Sequence, residues 1–188
     1  GRLGDDAGLA PVSPAQGRER PEPTVLLADD EVDGVGPLQL EAGRPHLRKE
    51  RLPLARLVAG VAEEFAERAS ERAVKFTHSV AADLEIAADP AAANTVLRNL
   101  IENALRASAA AGGREIRLAG RAKNGFVELA VADDGVGFEP AEAEKLFEKF
   151  YRPGDELRRT SKGTGLGLYV VRRVVELERG WVTAASAG

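Results

Sequence analysis

The segment NTVLRNLIENALRAS, residues 94–108, joins a helical pattern to a polar stripe with the chemistry to bind a metal ion and phosphates. At about 100° per residue the apolar side chains share one face of a helix, while Asn99, Asn103 and Arg106 fall together on the opposite side. Asparagine is a mediocre helix former, but its neutral oxygen is a ligand that Mg²⁺ accepts, and arginine offers phosphate a charged fork. The alternative interpretation is a solvated helix face, which this segment alone leaves open.

Two adjacent aspartates end the alternating stretch FVELAVADDGVGF, residues 126–138. Because side chains alternate along a strand, Asp133 shares the apolar face, whereas Asp134 lies on the face that Glu128 marks as the wetter one. A carboxylate that points into an apolar layer needs a specific partner, and the exocyclic amine of a purine is one. Gly135 and Gly137 then let the backbone pass close to a ligand. The alternative is an ordinary strand-ending turn, in which Asp-Gly is common.

Three alternating glycines open a helical run in SKGTGLGLYVV, residues 161–171. The spacing is neither that of a Rossmann loop nor that of a P-loop, since no Gly-Lys-Ser/Thr closes it. Taken alone, the stretch predicts a flexible helix entry. With the asparagine stripe and Asp133 as the other walls of a nucleotide site, it instead indicates a loop whose N–H groups approach phosphates at a helix N-terminus, where the helix dipole favours anions.

The hydrophobic pattern predicts the elements that must position these residues. Helices are predicted for Pro53–Ala69, for Pro90 to about Ala110 with Asp89 as the N-cap, and for Leu166 to about Glu178. Strands are predicted for Val74–Val80, Leu84–Ala88, Glu115–Arg121, Phe126–Asp133 and Trp181–Ala185, with a hairpin turn at 123–125. Because helices and strands mix without strict alternation, we predict an α+β fold. It is a two-layer α/β sandwich with a mixed, mainly antiparallel sheet, covered on one face by about three helices.

Composition and charge limit the class of protein. With 188 residues, of which 44% are hydrophobic and 30% charged, the chain suits one soluble globular domain. A net charge of −4 argues against a nucleic-acid-binding surface. The absence of cysteine excludes disulfides and thiolate metal sites, and no apolar run approaches the roughly 18 residues of a membrane helix. The sequence also lacks methionine, so we expect a piece of a longer protein.

Residues 1–37 differ from the rest, because five of the ten prolines lie there among many glycines and acidic residues. Most of this segment is predicted to be a tail or linker. Its stretch TVLLADDE, Thr24–Glu31, is similar to the first strand and acidic pair of a response-regulator receiver. No further strand–helix units follow before the next helix, so a short strand or a degenerate helix end is the preferred interpretation.

Four segments, in order and at suitable spacing, resemble the catalytic ATP-binding domain of sensor histidine kinases. That domain belongs to an ATPase group that includes DNA gyrase, the Hsp90 chaperones and MutL. Residues 94–108 look like the N box, DDGVG (133–137) like the first glycine box, LFEKFYRP (146–153) like the F box and GTGLGL (163–168) like the second glycine box. The F box separates sensor kinases from the gyrase and chaperone branches.

The resemblance covers about residues 38–188 and implies a division of the chain. LQLEAG (38–43) is similar to the end of the dimerisation helix that precedes this domain. Residues 1–37 would then be a tail or linker, 38–52 the end of the dimerisation helix and a connector, and 53–188 the ATP-binding domain.

The resemblance also implies a role for each matching residue. Asn103 would coordinate the Mg²⁺ that bridges the ATP phosphates, with support from Asn99, and Arg106 would contact phosphate; these three are the candidate catalytic residues. Asp133 would bind the adenine amine, with Gly135 and Gly137 giving room for the base. Further ATP contacts are implied for Phe150, Tyr151, Arg152, Lys162, Gly163, Thr164, Gly165, Leu166, Gly167 and Leu168. Phe147–Arg152 would anchor a lid at Pro153–Lys162, with Arg158, Arg159 and Lys162 as phosphate partners.

Three features depart from the family pattern. Ala107 stands where the family often has an aromatic residue. The chain ends at WVTAASAG, where the family usually continues through another glycine-containing turn and one more strand, so an unpaired sheet edge is expected. No phosphoacceptor is visible, because neither His46 nor His78 is followed by the acid and proline of that site. We expect His46 to be a surface residue and His78 a strand residue.

The function implied by the resemblance is histidine phosphorylation. The domain would use ATP and Mg²⁺ in the cytoplasm, and its partners would be a histidine-bearing dimerisation domain and a response-regulator receiver, with no nucleic acid and no membrane segment in this chain. Two alternatives stay open. One is a nucleotide-binding scaffold without kinase activity, and the other is an anti-sigma-type serine kinase or a hydrolysing ATPase, for which Glu102 is the nearby carboxylate.

Overall fold

The computed structural model describes residues 24–28, 47–153 and 164–186, and for 24–28 it describes the backbone pairing alone. The helices are α1 (Leu54–Ser70), α2 (Pro90–Ala111) and α3 (Gly167–Leu177). The strands are β1 (Thr24–Ala28), β2 (Glu50–Pro53), β3 (Lys75–Val80), β4 (Glu85–Ala88), β5 (Glu115–Lys123), β6 (Phe126–Asp133) and β7 (Trp181–Thr183). Two short 3₁₀ turns, Pro140–Glu142 and Lys145–Phe147, lie between β6 and α3.

A five-stranded sheet in the order β3-β5-β6-β1-β7 forms one layer of the domain. β3 runs parallel to β5, and the other neighbours in the sheet are antiparallel. The three helices pack against it through one hydrophobic core that includes Val58 and Phe65 of α1, Leu97 and Ile101 of α2, and Val171 and Val175 of α3. The predicted α+β class with a mixed, mainly antiparallel sheet and three helices is therefore confirmed.

Strand β1 lies inside the segment predicted to be a tail, yet it occupies an interior place in the sheet. It pairs with β6 from Thr24 opposite Ala130 to Ala28 opposite Phe126, and with β7 from Thr24 opposite Thr183 to Leu26 opposite Trp181. The sequence left this stretch as a short strand or a degenerate helix end, and the structure has the short strand. Among the described residues, β7 lies at one end of the sheet with β1 as its neighbour. The other boundaries, at 37/38 and 52/53, remain predictions.

Strand β2 was not predicted, because its four residues ERLP carry no apolar alternation. It pairs with β4 in a separate two-stranded sheet, from Glu50 opposite Ala88 to Pro53 opposite Glu85. Strand β2 continues without a loop into α1, whose first residue, Leu54, is fully buried. It also places the residues that precede β2 beside Asp89, at the start of α2.

Helix α2 begins and ends as its sequence predicts. The carboxylate of Asp89 accepts hydrogen bonds from the N–H groups of Ala91 and Ala92, each 3.0 Å, and Pro90 needs no hydrogen bond in the first turn. At the other end Gly112 has φ +67°, the left-handed conformation that favours glycine. No helix in the described parts of the chain is long and apolar enough to cross a bilayer.

Strand β6 is buried on both faces, contrary to the expectation that Glu128 marks a wet face. Glu128 is only 6% exposed. Its carboxylate is held by Arg121 at 3.0 Å and by Lys123 at 3.0 Å, and the hydrogen bond from Arg121 is the largest cause that lowers the pKa of Glu128. Local alternation could not reveal this, because the partners lie across the hairpin on β5.

Candidate nucleotide site

Asn99 joins helix α2 to the start of α3. Its Nδ2 donates a hydrogen bond to the carbonyl of Thr95 at 2.8 Å. Its Oδ1 lies against Gly167, so close that a Cβ on that glycine would stand 2.9 Å from it. The side chain is half-buried, so Asn99 is less open to solvent than the helical wheel predicted, and one reason for glycine at position 167 is the space that Asn99 needs.

The contact between Gly135 and Ala107 joins α2 to the end of β6. A Cβ on Gly135 would lie 2.4 Å from the carbonyl carbon of Ala107 and 2.7 Å from its Cβ, and the N–H of Val136 lies 3.4 Å from the Ala107 carbonyl oxygen. Glycine at 135 is therefore required by close packing. Ala107, which departs from the family pattern, fits tightly under this turn, and Gly137 follows with φ +64°.

Asn103 lies between these two contacts. Positions 99, 103 and 107 are four residues apart and so form one stripe on α2. Because the first touches the start of α3 and the last touches the glycine turn after β6, the exposed Asn103 stands between the two glycine boxes. The structure thus brings three of the sequence-predicted segments together around one helix.

Arg106 is exposed on the same side of α2 and is paired with Glu102. Its Nη2 lies 3.1 Å from Glu102 Oε1, and Arg68 of α1 lies 3.5 Å from the same oxygen. The hydrogen bond from Arg106 is the largest cause that lowers the pKa of Glu102. A phosphate at this position would therefore compete with Glu102 for Arg106, a partner that the sequence analysis did not predict.

Asp133 points into the apolar layer, as its parity predicts. It stands opposite Ile116, which is fully buried. Burial is the largest cause that raises the pKa of Asp133, and the hydrogen bond from the N–H of Gly135 to its Oδ1, at 2.9 Å, acts in the opposite direction. A desolvated carboxylate beside a glycine turn can accept a hydrogen bond from a ligand amine.

Asp134 faces the opposite side of β6, and its carboxylate fixes the backbone at the start of β5. Its carboxylate accepts hydrogen bonds from the N–H of Arg114, at 2.9 Å, and of Glu115, at 3.1 Å. Burial acts to raise the pKa of Asp134, but these backbone hydrogen bonds lower it on balance. The two adjacent aspartates are therefore distinguished by their environments, since one is desolvated and the other fixes the start of β5.

The F box and the second glycine box meet at Phe150 and Gly165. The N–H of Phe150 donates to the carbonyl of Gly165 at 3.0 Å, and both residues have positive φ, +66° and +68°. Phe147 is buried, whereas Phe150 is 62% exposed, and the Tyr151 hydroxyl donates to Glu142. The end of the F box and the second glycine box are therefore adjacent in the fold.

The remaining predicted contacts divide into described and undescribed residues. Arg152, Leu166 and Leu168 are half-buried and Thr164 is exposed. The predicted lid lies outside the described residues except for Pro153, and so do Arg158, Arg159, Lys162 and Gly163, as does His46. His78 is an exposed residue of β3, the expected strand position.

The donor set at this site suits a metal ion held mainly by phosphates and water. In the described ranges there is no group of three His, Cys, Asp or Glu side chains that could hold a metal. Mg²⁺ commonly keeps several waters and takes one or two protein oxygens together with substrate phosphates. The exposed amide of Asn103, next to Glu102, fits that mode of binding.

The chain belongs to the histidine kinase-, DNA gyrase B- and HSP90-like ATPase family, whose model matches residues 88–188. Among the curated relatives, it is 33% identical over 134 residues to the signal transduction histidine-protein kinase BaeS of Escherichia coli K12, covering 71% of this chain. It is 36% identical over 96 residues to the sensor histidine kinase CpxA of the same strain, covering 51% of this chain. The predicted resemblance to histidine kinase ATPase domains is confirmed.

Solved structures share the fold. The catalytic domain of the histidine kinase ThkA has a TM-score of 0.61 and 24% identity, over 74% of this chain and 96% of that one. Full-length ShkA in complex with AMPPNP has a TM-score of 0.62 and 26% identity, over 78% of this chain and 33% of that one. The matches to BaeS and CpxA cover 28% and 20% of those proteins, so the chain corresponds to one part of such kinases.

Proposed function

We propose that this chain is the ATP-binding catalytic domain of a two-component sensor histidine kinase. It would transfer the γ-phosphoryl group of ATP to a histidine on a dimerisation domain, and the phosphohistidine would then supply an aspartate of a response-regulator receiver. The observation that carries the proposal is the position of Asn103 between two glycine turns, one preceded by the desolvated Asp133 and the other opening α3. The relatives BaeS and CpxA are histidine kinases, which supports the same assignment.

The adenine base would bind at Asp133. Its half-buried carboxylate stands beside Gly135 and Gly137, and an exocyclic amine is a donor that satisfies it. The structural neighbour ShkA was solved in complex with AMPPNP, an ATP analogue, which supports an adenine nucleotide here. Binding of ATP by this domain also implies that it works in the cytoplasm.

The phosphates and Mg²⁺ would lie along α2 toward the start of α3. Asn103 would hold Mg²⁺, which neutralises charge on the phosphates when bound. Arg106 would exchange Glu102 for phosphate oxygen, and the N–H groups at the start of α3 would face the same anion. Asn99 would keep α3 in place. Phe150–Arg152 and Thr164–Leu168 would border the nucleotide on the side where the F box meets the second glycine box.

The chemistry of this domain would be positioning and charge stabilisation. The acceptor imidazole nitrogen attacks the γ-phosphorus, the bond to the β–γ bridging oxygen breaks, and ADP leaves. A hydrolase would instead need a carboxylate that accepts a proton from water. Glu102 suits that task poorly, because two arginines hold it and lower its pKa, so it is a weaker base than an ordinary glutamate.

Two measurements test this function. Calorimetry with a non-hydrolysable ATP analogue should show binding that is tighter with Mg²⁺ than without it. A separately prepared dimerisation domain with its histidine should then become phosphorylated on histidine by this chain in the presence of ATP. Binding without phosphohistidine would favour the nucleotide-binding scaffold, and release of inorganic phosphate without phosphohistidine would favour the hydrolase.

A further inference from the structure

A buried carboxylate lies at the end of α3 that is remote from the nucleotide site. Glu178 follows the helix and is 3% exposed. Its Oε1 accepts a hydrogen bond from the backbone N–H of Asp89 at 2.9 Å, and Nζ of Lys49 lies 3.5 Å from its Oε2. The same Nζ is 3.4 Å from the Glu178 carbonyl oxygen, to which it donates.

Asp89 connects the same short segment to the start of α2. While its Oδ1 caps the helix, its Oδ2 accepts a hydrogen bond from the N–H of Arg48 at 2.9 Å. That hydrogen bond is the largest cause that lowers the pKa of Asp89. Arg48, Lys49, Asp89 and Glu178, here called the helix-end cluster, therefore join the residues entering β2 to one end of each of two helices.

Helices α2 and α3 are held together at both ends of their contact. The helix-end cluster links Asp89 to Glu178, and about ten residues further on, Asn99 packs against Gly167. Ten helical residues span about 15 Å, so the two helices lie side by side and antiparallel between these points. A displacement at the cluster would therefore move α3 relative to α2, and both helices border the proposed phosphate site.

The negative charge of the buried Glu178 carboxylate is balanced by the ammonium group of Lys49, 3.5 Å away. Within the described part of the chain, Oε2 of Glu178 has no hydrogen-bond partner, and Glu178 lines a small cavity together with apolar side chains such as Leu57, Val96 and Val174. A buried carboxylate without a partner is costly. Withdrawal of Lys49 would therefore favour a shift of the end of α3 toward water.

We propose that the helix-end cluster couples the position of the residues entering β2 to the position of α3 relative to α2. Through this coupling, the position of those residues would also change the affinity for nucleotide. Lys49 and Glu178 act here as positioning residues, since they touch neither ATP nor metal. The effect on nucleotide affinity rests on the proposed function. The effect on helix α3 does not, because it follows from the contacts among the residues of the cluster themselves.

The test compares Lys49→Met, Glu178→Gln and the double variant with Arg51→Met as a matched control. Glutamine keeps the acceptor for the Asp89 N–H but loses the charge that Lys49 balances. Arg51 forms an ion pair with Glu85 between β2 and β4, 3.6 Å apart, so its loss perturbs the same strand without touching α3. We expect each cluster variant to raise amide hydrogen exchange at 167–171 about three- to tenfold, with no added effect in the double variant.

The same variants should weaken binding of the ATP analogue by about three- to tenfold, while Arg51→Met leaves exchange and affinity unchanged. Equal effects of Arg51→Met and Lys49→Met, or wild-type exchange at 167–171 in both cluster variants, would overturn the coupling. If wild-type protein binds no ATP analogue, the proposed function fails, and the exchange measurement still decides whether the cluster controls α3.

Discussion

At the scale of residues, the candidate site depends on glycines whose identity is set by close packing against α2. Gly135 is fixed by the backbone of Ala107 and Gly167 by the amide of Asn99. In both cases the glycine brings another segment to within van der Waals contact of α2. Asn103 lies between them and is the residue with the most direct proposed task.

Asn103→Asp tests the metal role. The change is nearly isosteric at an exposed position, so we expect the midpoint of thermal unfolding to stay within about 2 °C. An added negative charge beside phosphates should lower the affinity for the ATP analogue with Mg²⁺ and reduce phosphotransfer at least tenfold, which calorimetry and phosphohistidine detection measure. Asn94→Asp, on the same helix but outside the stripe, is the control. Unchanged affinity and transfer in Asn103→Asp would contradict the metal assignment.

Asp133→Asn separates stability from recognition. The folded pKa of Asp133 is raised by burial, so its charged form costs stability at neutral pH, and this cost disappears as the pH falls through the raised value and the group takes up a proton. We therefore expect Asp133→Asn to raise the free energy of unfolding at neutral pH by about 1 kcal/mol, and the difference from wild type to vanish in acid. Urea unfolding at several pH values measures it.

The neighbouring aspartate supplies the control. Asp134→Asn should lower stability at neutral pH, because the pKa of Asp134 is depressed by backbone hydrogen bonds.

Asp133→Ala tests recognition of the base and should remove the preference for ATP over GTP. If ATP still outcompetes GTP as before, Asp133 does not bind the base.

At the scale of elements, the insertion of β1 between β6 and β7 connects the two halves of the site. β6 carries Asp133, and β7 follows α3, which opens with Gly167. Because β7 pairs with β1 in the sheet, the backbone of residues 24–28 joins these two elements. The sheet therefore depends on a segment that is about 100 residues distant from β6 along the chain.

Leu26→Pro tests this arrangement through the backbone alone. Proline removes the N–H of a residue placed opposite both Glu128 and Trp181, and an interior strand rarely accepts it. We expect the free energy of unfolding to fall by about 1–3 kcal/mol, the cost of an unsatisfied backbone partner, as measured by urea unfolding. Leu26→Val keeps the N–H and should therefore be destabilised less than Leu26→Pro. Wild-type stability in Leu26→Pro would show that β1 does not contribute to the sheet.

At the scale of the whole molecule, four carboxylates connect separate elements and share one pH dependence. Asp89, Glu102, Glu128 and Asp134 all have lowered pKa values in the folded chain. A lowered folded pKa contributes stability above the ordinary value, and this contribution is lost as the pH falls through the folded value. Their combined effect should exceed the opposite effect of the single Asp133.

The expected outcome is a free energy of unfolding that is constant near neutral pH and falls in acid, below the ordinary carboxyl values of 3.8 and 4.5. Glu128→Gln should reduce stability at neutral pH by about 1–2 kcal/mol, because it removes a charged acceptor from Arg121 and Lys123, and should make the acid loss shallower. Urea titrations across this range provide the measurement. Glu139→Gln, an exposed residue, is the control, and an equal acid loss in Glu128→Gln and wild type would contradict the role of Glu128.

The sequence by itself determined the features that depend on neighbours along the chain. The period of two assigned Asp133 to the apolar face, the cap at Asp89 and the glycine at 112 bounded α2, and Asn124-Gly125 closed the hairpin with φ +53° and +78°. These are local consequences of backbone geometry. The order of the four boxes identified the family for the same reason, because it is carried by residue types and spacing.

Only the tertiary structure decided which distant residues meet. It placed β1 in the sheet, buried Glu128 between two cations, paired Arg68 of α1 with Glu102 of α2 and joined Lys49 to Glu178. Periodicity reports the face that a residue occupies on its own element and says nothing about which element covers that face. Each of these contacts joins residues through the packing of separate elements or across a hairpin, so it exists only once the helices and strands have taken their places.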